Sequence, residues 1–233
     1  MNFFRNRLSA ICVVLSLFLS IAGAGATECK KESSFKMPLE AGRGFAAAFV
    51  GASSDAVIIA GGSDFPDAFP WEGGKKFYSD AIWLLKKTSA GYECAAVDGV
   101  RLPRPLAGGV SASLNGSLYC FGGSDGVTPS ADVLRLTVSG KSVKVETVAS
   151  LPEGFTPAAA APYSGKIYVH GAAGQENALY AYNPSNNAWT SLAACPSRVI
   201  SEGACLIQKH NGRENAMYLI GGRGTDETGL HIA

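Results

Sequence analysis

Arginines and carboxylates recur at two kinds of position in this chain of 233 residues. The first kind is the start of a stretch of small residues, and the second follows a pair of small residues that ends an apolar run. A guanidinium group can hold a carboxylate through two parallel hydrogen bonds, and Asp or Glu can transfer protons. The first kind comprises Arg43, Arg104 and Arg198, with Glu202 close by, and the second comprises Ser63, Asp64, Ser124, Asp125 and Arg223.

The composition gives less support to other kinds of chemistry. The three histidines, His170, His210 and His231, share no metal-ligand spacing, so we expect no metal site. The 20 basic and 19 acidic side chains form no broad charge excess that would attract nucleic acid or an anionic membrane. We therefore expect neither nucleic acid nor a membrane as a partner.

The first 26 residues have the pattern of a secretory signal peptide. Arg5 and Arg7 precede an apolar run from Leu8 to Ile21, and the small residues AGAGA end at Ala26. That run is shorter than the roughly 20 residues of a membrane-spanning helix, although an uncleaved N-terminal anchor is the alternative. We expect a mature chain that begins near Thr27 and is secreted or periplasmic.

The cysteines that remain after removal of the signal peptide are odd in number. They are Cys29, Cys94, Cys120, Cys195 and Cys205. Cys195 and Cys205 are the closest pair in sequence, whereas Cys120 lies in an apolar strand pattern and is expected to be a buried free thiol. The spacing assigns no disulfide connectivity.

Four apolar segments end in a pair of small residues and reveal a repeat. The segments VIIAGG, LYCFGG, IYVHGA and MYLIGG end at Gly62, Gly123, Ala172 and Gly222, at intervals of 61, 49 and 50 residues. A period near 50 is typical of kelch-type β-propellers, in which each repeat forms one four-stranded blade. An ordinary β-sandwich also has short, regularly spaced strands, but it requires no such period in register with small-residue stretches.

The repeat predicts an all-β fold that is a partial kelch-type β-propeller. Residues 27–42 resemble the end of a fourth strand that would close the ring, and residues 43–233 hold units at about 43–103, 104–152, 153–196 and 197–233. These units amount to about three and a half blades, whereas closed propellers have roughly four to eight. We expect a truncated form of a six-bladed ring.

The loop after the first glycine pair carries a more specific signal. The run GGSDFPDAFPWEGGKKFYSDAIWLL, from Gly61 to Leu85, resembles the signature of the N-acetylneuraminate epimerase (sialic acid mutarotase) family. It is most similar to the cyclically permuted branch, in which this blade comes first. The resemblance implies an exported six-bladed enzyme that interconverts the α and β anomers of sialic acid. A base takes the proton of the anomeric hydroxyl while an acid protonates the ring oxygen, and no cofactor is needed.

The resemblance also implies a site at the axial opening for an acidic sugar. The expected substrate-binding residues are Arg43, Asp64, Arg104, Arg198 and Arg223, and the candidates for proton transfer are Glu72 and Glu202. Asp67 and Glu72 belong to the long loop, which is expected to cover part of the opening.

Each of these residues has a structural alternative. The arginines can tie blades together through backbone carbonyls, and Asp64 and Asp125 can cap turns. Glu72 and the lysine pair at 75 and 76 can be solvated, and Phe69 and Trp71 can pack the loop instead of stacking on the C–H groups of a sugar.

One element of the family pattern is missing. The segment Gly-Glu-(Ile)-x-Pro-Gly-x-Arg, which holds the suspected catalytic Glu and Arg of the family, does not occur before Ala233. We therefore expect activity only from a complete ring. A non-catalytic propeller that binds a glycan or protein on its loop face is the main alternative, whereas a copper-radical oxidase would need paired Tyr and His ligands. The exact sugar and the oligomeric state are left open.

Overall fold

The structure, a computed structural model, describes residues 45–89, 91–174, 176–194, 200–201, 203–210, 212–226 and 229–232. The predicted signal peptide (1–26) and the predicted closing strand (27–42) lie outside the described residues.

Three four-stranded antiparallel sheets follow one another along the described chain, and each is called a blade here. Blade 1 contains β1 (Phe49–Ser53), β2 (Ala56–Ala60), β5 (Ala81–Thr88) and β6 (Gly91–Arg101), and its long loop contains the short pair β3 (Ser63–Asp64) and β4 (Phe77–Tyr78) with a 3-10 helix at Pro70–Glu72. Blade 2 contains β7 (Val110–Leu114), β8 (Ser117–Phe121), β9 (Asp132–Ser139) and β10 (Ser142–Ser150). Blade 3 contains β11 (Phe155–Tyr163), β12 (Lys166–Ala173), β13 (Glu176–Asn183) and β14 (Ala188–Leu192).

The remaining strands form two smaller sheets. They are β15 (Ile200–Ser201), β16 (Ala204–His210), β17 (Glu214–Ile220), β18 (Arg223–Asp226) and β19 (Gly229–Ile232). β16 pairs with β17, and β18 lies between β15 and β19. The first two strands of the predicted fourth unit are therefore present as an antiparallel pair.

The first strands of successive blades lie beside one another. β1 contacts β7, β7 contacts β11, and β11 contacts β16. β1, β7 and β11 are also edge strands of their own sheets. The sheets therefore meet along their inner edges, as the blades of a propeller do. Small side chains dominate the sequences FVGAS, VSASL and FTPAAAAPY of β1, β7 and β11. Such side chains fit the crowded space near a propeller axis, as the sequence pattern predicted.

Blade 2 is packed between blades 1 and 3, as its second strand shows. All five residues of β8 are buried, and successive side chains of a strand point to opposite faces. Leu118 and Cys120 pack in the apolar cluster shared with blade 1, whereas Tyr119 and Phe121 pack in the cluster shared with blade 3. A β-sandwich would have only two facing sheets, so the β-propeller prediction is confirmed.

The cysteines that the structure describes are free thiols. Cys120 is a buried free thiol as predicted, and Cys94 and Cys205 are also free. Burial raises the pKa of Cys205 to about 12, so its thiol is not a nucleophile near neutral pH. Cys29 and Cys195 lie outside the described residues. Among the described residues, no helical segment has the length and hydropathy needed to cross a membrane.

Candidate functional site

The two kinds of position singled out in the sequence lie at the same end of the blades. In blade 1, Phe49 at the start of β1 pairs with Ala60 at the end of β2, and Ala60 pairs with Ile82 near the start of β5. Ala81 in turn pairs with Arg101 at the end of β6. The loop that enters each blade and the loop after its second strand therefore share one end, which we call the loop end.

Paired glycines turn the chain at this end. Both residues of each pair have positive φ angles, which a side chain disfavours. The values are 68° and 96° for Gly61 and Gly62, 68° and 94° for Gly122 and Gly123, and 62° and 97° for Gly221 and Gly222.

In blades 1 and 2, the turns bring the serine that follows the glycine pair back to the chain that enters the blade. Ser63 and Ala46 exchange two backbone hydrogen bonds of 2.8 and 3.0 Å, and Ser124 and Ala107 exchange two of 2.9 and 3.0 Å. The side chain of Ser63 is buried and donates to the Ala46 carbonyl at 3.3 Å. The Ser124 hydroxyl accepts from the backbone N–H of Gly126 at 2.9 Å. Both serines thus stabilise the loop end.

Arg104 and Asp125, one from each kind of position, form an ion pair. The Arg104 Nη2 atom lies 2.5 Å from Asp125 Oδ2 and donates a second hydrogen bond to the Thr128 carbonyl at 2.7 Å. Asp125 Oδ1 accepts from the backbone N–H groups of Val127 and Thr128 at 2.9 and 2.7 Å. The two structural alternatives, backbone tying by the arginine and turn capping by the aspartate, both occur here.

These contacts determine what Asp125 can do chemically. The backbone N–H donors of Thr128 and Val127, assisted by the Arg104 guanidinium, lower the pKa of Asp125 from 3.8 to about 2. A carboxylate with so low a pKa is a weak base and is almost never protonated near neutral pH. Asp125 is therefore suited to holding Arg104 and its own loop rather than to proton transfer.

Glu72 has a comparable structural role in the long loop of blade 1. Its Oε2 atom accepts from the backbone N–H of Phe69 at 3.1 Å, which caps the start of the 3-10 helix. The N–H groups of Gly73 and Gly74 close the other side of the turn on the carbonyls of Pro70 and Phe69, at 3.2 and 3.0 Å. Glu72 remains exposed to solvent, but its carboxylate is engaged with the backbone.

Two aromatic side chains project from the same loop. The rings of Phe69 and Trp71 stack with centroids 4.7 Å apart and an interplanar angle of 8°. Their exposed fractions are 58% and 79%. The loop-packing alternative thus accounts for their contact with each other, but it does not bury them.

Tyr78 joins this loop to blade 2, a contact that the sequence analysis missed. Its ring lies so close to Gly126 that a Cβ atom at position 126 would be 2.6 Å from it. The Lys76 ammonium lies over the same ring, 5.1 Å from its centroid. Gly126 belongs to the turn that Asp125 caps, so the loops of two blades meet here. Local sequence gave no signal for this contact, because it joins loops that are 48 residues apart in the chain.

The other predicted residues have different positions. Asp64 lies half-buried in β3, where its backbone pairs with Phe77. Arg223 begins β18 and pairs with Ser201 and Ile232, but only its backbone is described. Arg43, Arg198 and Glu202 lie outside the described residues. The structure therefore brings together Arg104 and Asp125, and the predicted roles of the remaining residues stay predictions.

Comparisons with known proteins place the chain among kelch-type propellers. No protein-family model matches it. It is 33% identical over 114 residues to N-acetylneuraminate epimerase of Yersinia enterocolitica serotype O:8 / biotype 1B (strain NCTC 13174 / 8081), a match that covers 44% of this chain and 27% of that protein. It is 29% identical over 114 residues to Kelch-like protein 35 of Mus musculus, covering 47% of this chain and 18% of that protein.

The fold comparison agrees with the sequence comparisons. The solved structure of YjhT is similar to this chain with a TM-score of 0.59 and 14% sequence identity, over 78% of this chain and 60% of that one. The sheets, their inner-edge contacts and this likeness define a kelch-type β-propeller, as the repeat predicted. The chain spans less than two thirds of each of these proteins.

Proposed function

We propose that this protein is a sugar mutarotase of the kelch-propeller type, which interconverts the α and β anomers of N-acetylneuraminic acid. The observation that carries the proposal is the 33% identity over 114 residues with an N-acetylneuraminate epimerase. The loop end supports it, because Arg104, the carboxylates of Asp125 and Glu72 and two exposed aromatic rings lie in its loops.

The contacts at the loop end narrow the roles within this proposal. Arg104 is held by Asp125 and Thr128, so it contributes mainly to the rigidity of the loops. Its counterparts at the same repeat position, Arg43 and Arg198, are then the arginines proposed to hold the sugar carboxylate. Proton transfer is proposed for Glu202, since the Glu72 carboxylate caps a helix.

Export is a second part of the proposal. The first 26 residues support it, because they have the charge and hydropathy pattern of a signal peptide. Sequencing the N-terminus of the protein recovered from the medium or periplasm would test this, with Thr27 or a neighbour expected as the first residue.

A non-catalytic sugar-binding propeller is the second candidate function. One observation favours it. The charged groups of Arg104, Asp125 and Glu72 all form hydrogen bonds within the chain. Under this hypothesis the loop end recognises a sugar without opening its ring.

Proton NMR of freshly dissolved N-acetylneuraminic acid anomer separates the two candidates. A mutarotase speeds equilibration of the anomeric signals beyond the spontaneous rate at catalytic amounts of protein, whereas a binding protein leaves that rate unchanged. Arg198→Ala and Arg223→Ala should weaken sugar binding, while Lys141→Ala serves as the control, since Lys141 is exposed in the β9–β10 turn at the opposite end. Unchanged affinity in both arginine variants would remove those side chains from the site.

A further inference from the structure

We infer that the stacked pair of Phe69 and Trp71, called the aromatic platform below, is a binding surface for the pyranose ring of an acidic sugar. The inference deepens the proposed function and rests on it for the class of sugar. The sugar would lie with its C–H face on the Trp71 indole, while Lys75, which follows in the loop, attracts its carboxylate.

The platform has a fixed conformation that does not depend on a covering partner. Glu72 Oε2 accepts from the N–H of Phe69, and the N–H of Gly74 donates to the Phe69 carbonyl at 3.0 Å. Phe69 and Trp71 therefore flank a capped turn, and their rings stack almost in parallel. Preorganisation of this kind lowers the entropic cost of binding, because the rings need not be ordered when a ligand arrives.

The platform combines stacking with exposure to solvent. Single exposed apolar residues are common on protein surfaces. Here, however, two large rings stack on each other and still leave 79% of Trp71 in contact with solvent. A flat apolar surface of this size matches one sugar ring, since an aromatic side chain buries about 150–250 Å² when covered.

A lysine of the loop supplies a cation for the carboxylate of an acidic sugar. Lys75 is exposed and follows the turn at Gly73 and Gly74 directly, whereas the Lys76 ammonium lies over the Tyr78 ring. A stable protein interface needs about 800 Å² from each partner, far more than two rings provide.

The loop also connects the platform to the rest of the loop end. It returns through β4, where the Tyr78 ring lies against Gly126 in the turn capped by Asp125. A sugar on the platform would therefore be bound by a loop that blade 2 supports.

Titration of the full chain with N-acetylneuraminic acid tests the inference. Saturation-transfer NMR should show the strongest transfer to protons of one face of the sugar ring. Trp71→Ala should weaken the affinity about tenfold, the order expected for loss of one aromatic contact, and Trp71→Phe should retain most of it. Val127→Ala is the matched control, because Val127 is 89% exposed in the neighbouring turn and carries no ring. N-acetylglucosamine, which lacks the carboxylate, should bind more weakly than the acid.

Three results would overturn the inference. They are unchanged affinity in Trp71→Ala, no saturable binding of N-acetylneuraminic acid by the unmodified protein, and Trp71-dependent binding to phosphatidylglycerol vesicles in place of the sugar. Circular dichroism of the variants shows whether they fold, which an exposed position should allow. The rate of anomer equilibration is measured separately. A spontaneous rate with Trp71-dependent binding refutes the proposed catalysis and supports the platform, whereas accelerated equilibration with unchanged affinity in Trp71→Ala does the reverse.

Discussion

Blades 2 and 3 have the same sequence pattern at the end of their second strand but use it differently. In blade 2, β8 ends at Phe121, and Gly122 and Gly123 turn the chain into a polar loop. In blade 3, β12 continues past Gly171 to Ala173 and stays paired with β13, so that Ala173 lies opposite Glu176. Blade 2 thus presents a capped loop at the loop end, and blade 3 presents a continuous hairpin.

The comparison shows that a glycine recurs in the repeat for two separate physical reasons. Gly122 has a φ angle of +68°, which residues with a side chain rarely adopt. Gly171 has no such angle, but a Cβ atom there would lie 2.1 Å from the Thr156 carbonyl oxygen on β11. Backbone conformation requires the first glycine, and close approach of two strands requires the second. Polar loops at the loop end therefore depend on glycine pairs with positive φ, as in blades 1 and 2.

Alanine substitution of these two glycines should give the largest effect. Gly171→Ala forces a side chain into a backbone carbonyl and should destabilise the protein by about 3 kcal/mol or more. Gly122→Ala should cost about 1–2 kcal/mol from the strained φ angle, because its nearest neighbour is the Pro157 ring at 3.1 Å. Urea unfolding monitored by fluorescence measures both values.

Asparagine at the same positions provides the control. Asn tolerates positive φ better than Ala, so Gly122→Asn should recover part of the loss, whereas Gly171→Asn should be at least as damaging as Gly171→Ala. A smaller loss for Gly171→Ala than for Gly122→Ala would contradict the assignment of two causes.

Much of the fold follows from local sequence, whereas the site depends on contacts that local sequence does not specify. The period near 50 residues and the small residues of β1, β7 and β11 were sufficient to predict blades. The continuous strand in blade 3 was not predicted, because it depends on the pairing of Gly171 with Pro157 across the sheet.

Local sequence likewise does not specify the contacts at the loop end. The repeat placed Arg104 and Asp125 at one end, and in the structure their side chains form an ion pair. Whether two charged groups face a ligand or each other depends on the positions of loop atoms to within about one hydrogen-bond length. The spacing of residues in the sequence does not specify those positions. The stacking of Phe69 on Trp71 is likewise set by the capped turn between them.

Acid should destabilise blade 3 before blade 2, through His170. This residue occupies the position of Phe121 in the repeat and is 1% exposed, and burial lowers its pKa below 6.5. Between the folded and unfolded pKa values the unfolded chain binds more protons, so stability rises with pH in that window. The contribution of neutral His170 is complete above about pH 6.5 and is lost below it, with a slope of up to about 1.4 kcal/mol per pH unit.

Unfolding free energies measured across this window check the effect. His170→Phe, which gives blade 3 the residue of blade 2, should flatten the slope. His210→Phe is the control, because His210 is exposed on β16, and it should leave most of the slope in place. An equal slope in the unmodified protein and His170→Phe would show that another group is responsible.

The stability of the turn of blade 2 should depend on pH in a lower pH range than the stability of blade 3. The effect should also be weaker, because Asp125 is exposed enough for solvent to screen its charge. Its folded pKa of about 2 lies below the ordinary 3.8, so its stabilising contribution is complete above about pH 4 and is lost as the pH falls toward the folded pKa. Asp125→Ala should remove this contribution and expose the N–H groups of Val127 and Thr128, which now donate to Oδ1.

Amide hydrogen exchange provides a local readout of that turn, since global unfolding would hardly detect it. Near neutral pH, the amides of Val127 and Thr128 should exchange faster in Asp125→Ala than in the unmodified protein, while the amides of β12 stay unchanged. Asp55→Ala is the matched control, because Asp55 is an exposed carboxylate in the β1–β2 turn at the opposite end. Equal protection of both amides in all three proteins would mean that the glycine pair alone holds the loop. In that case the difference between blades 2 and 3 would lie in the backbone and not in the charges.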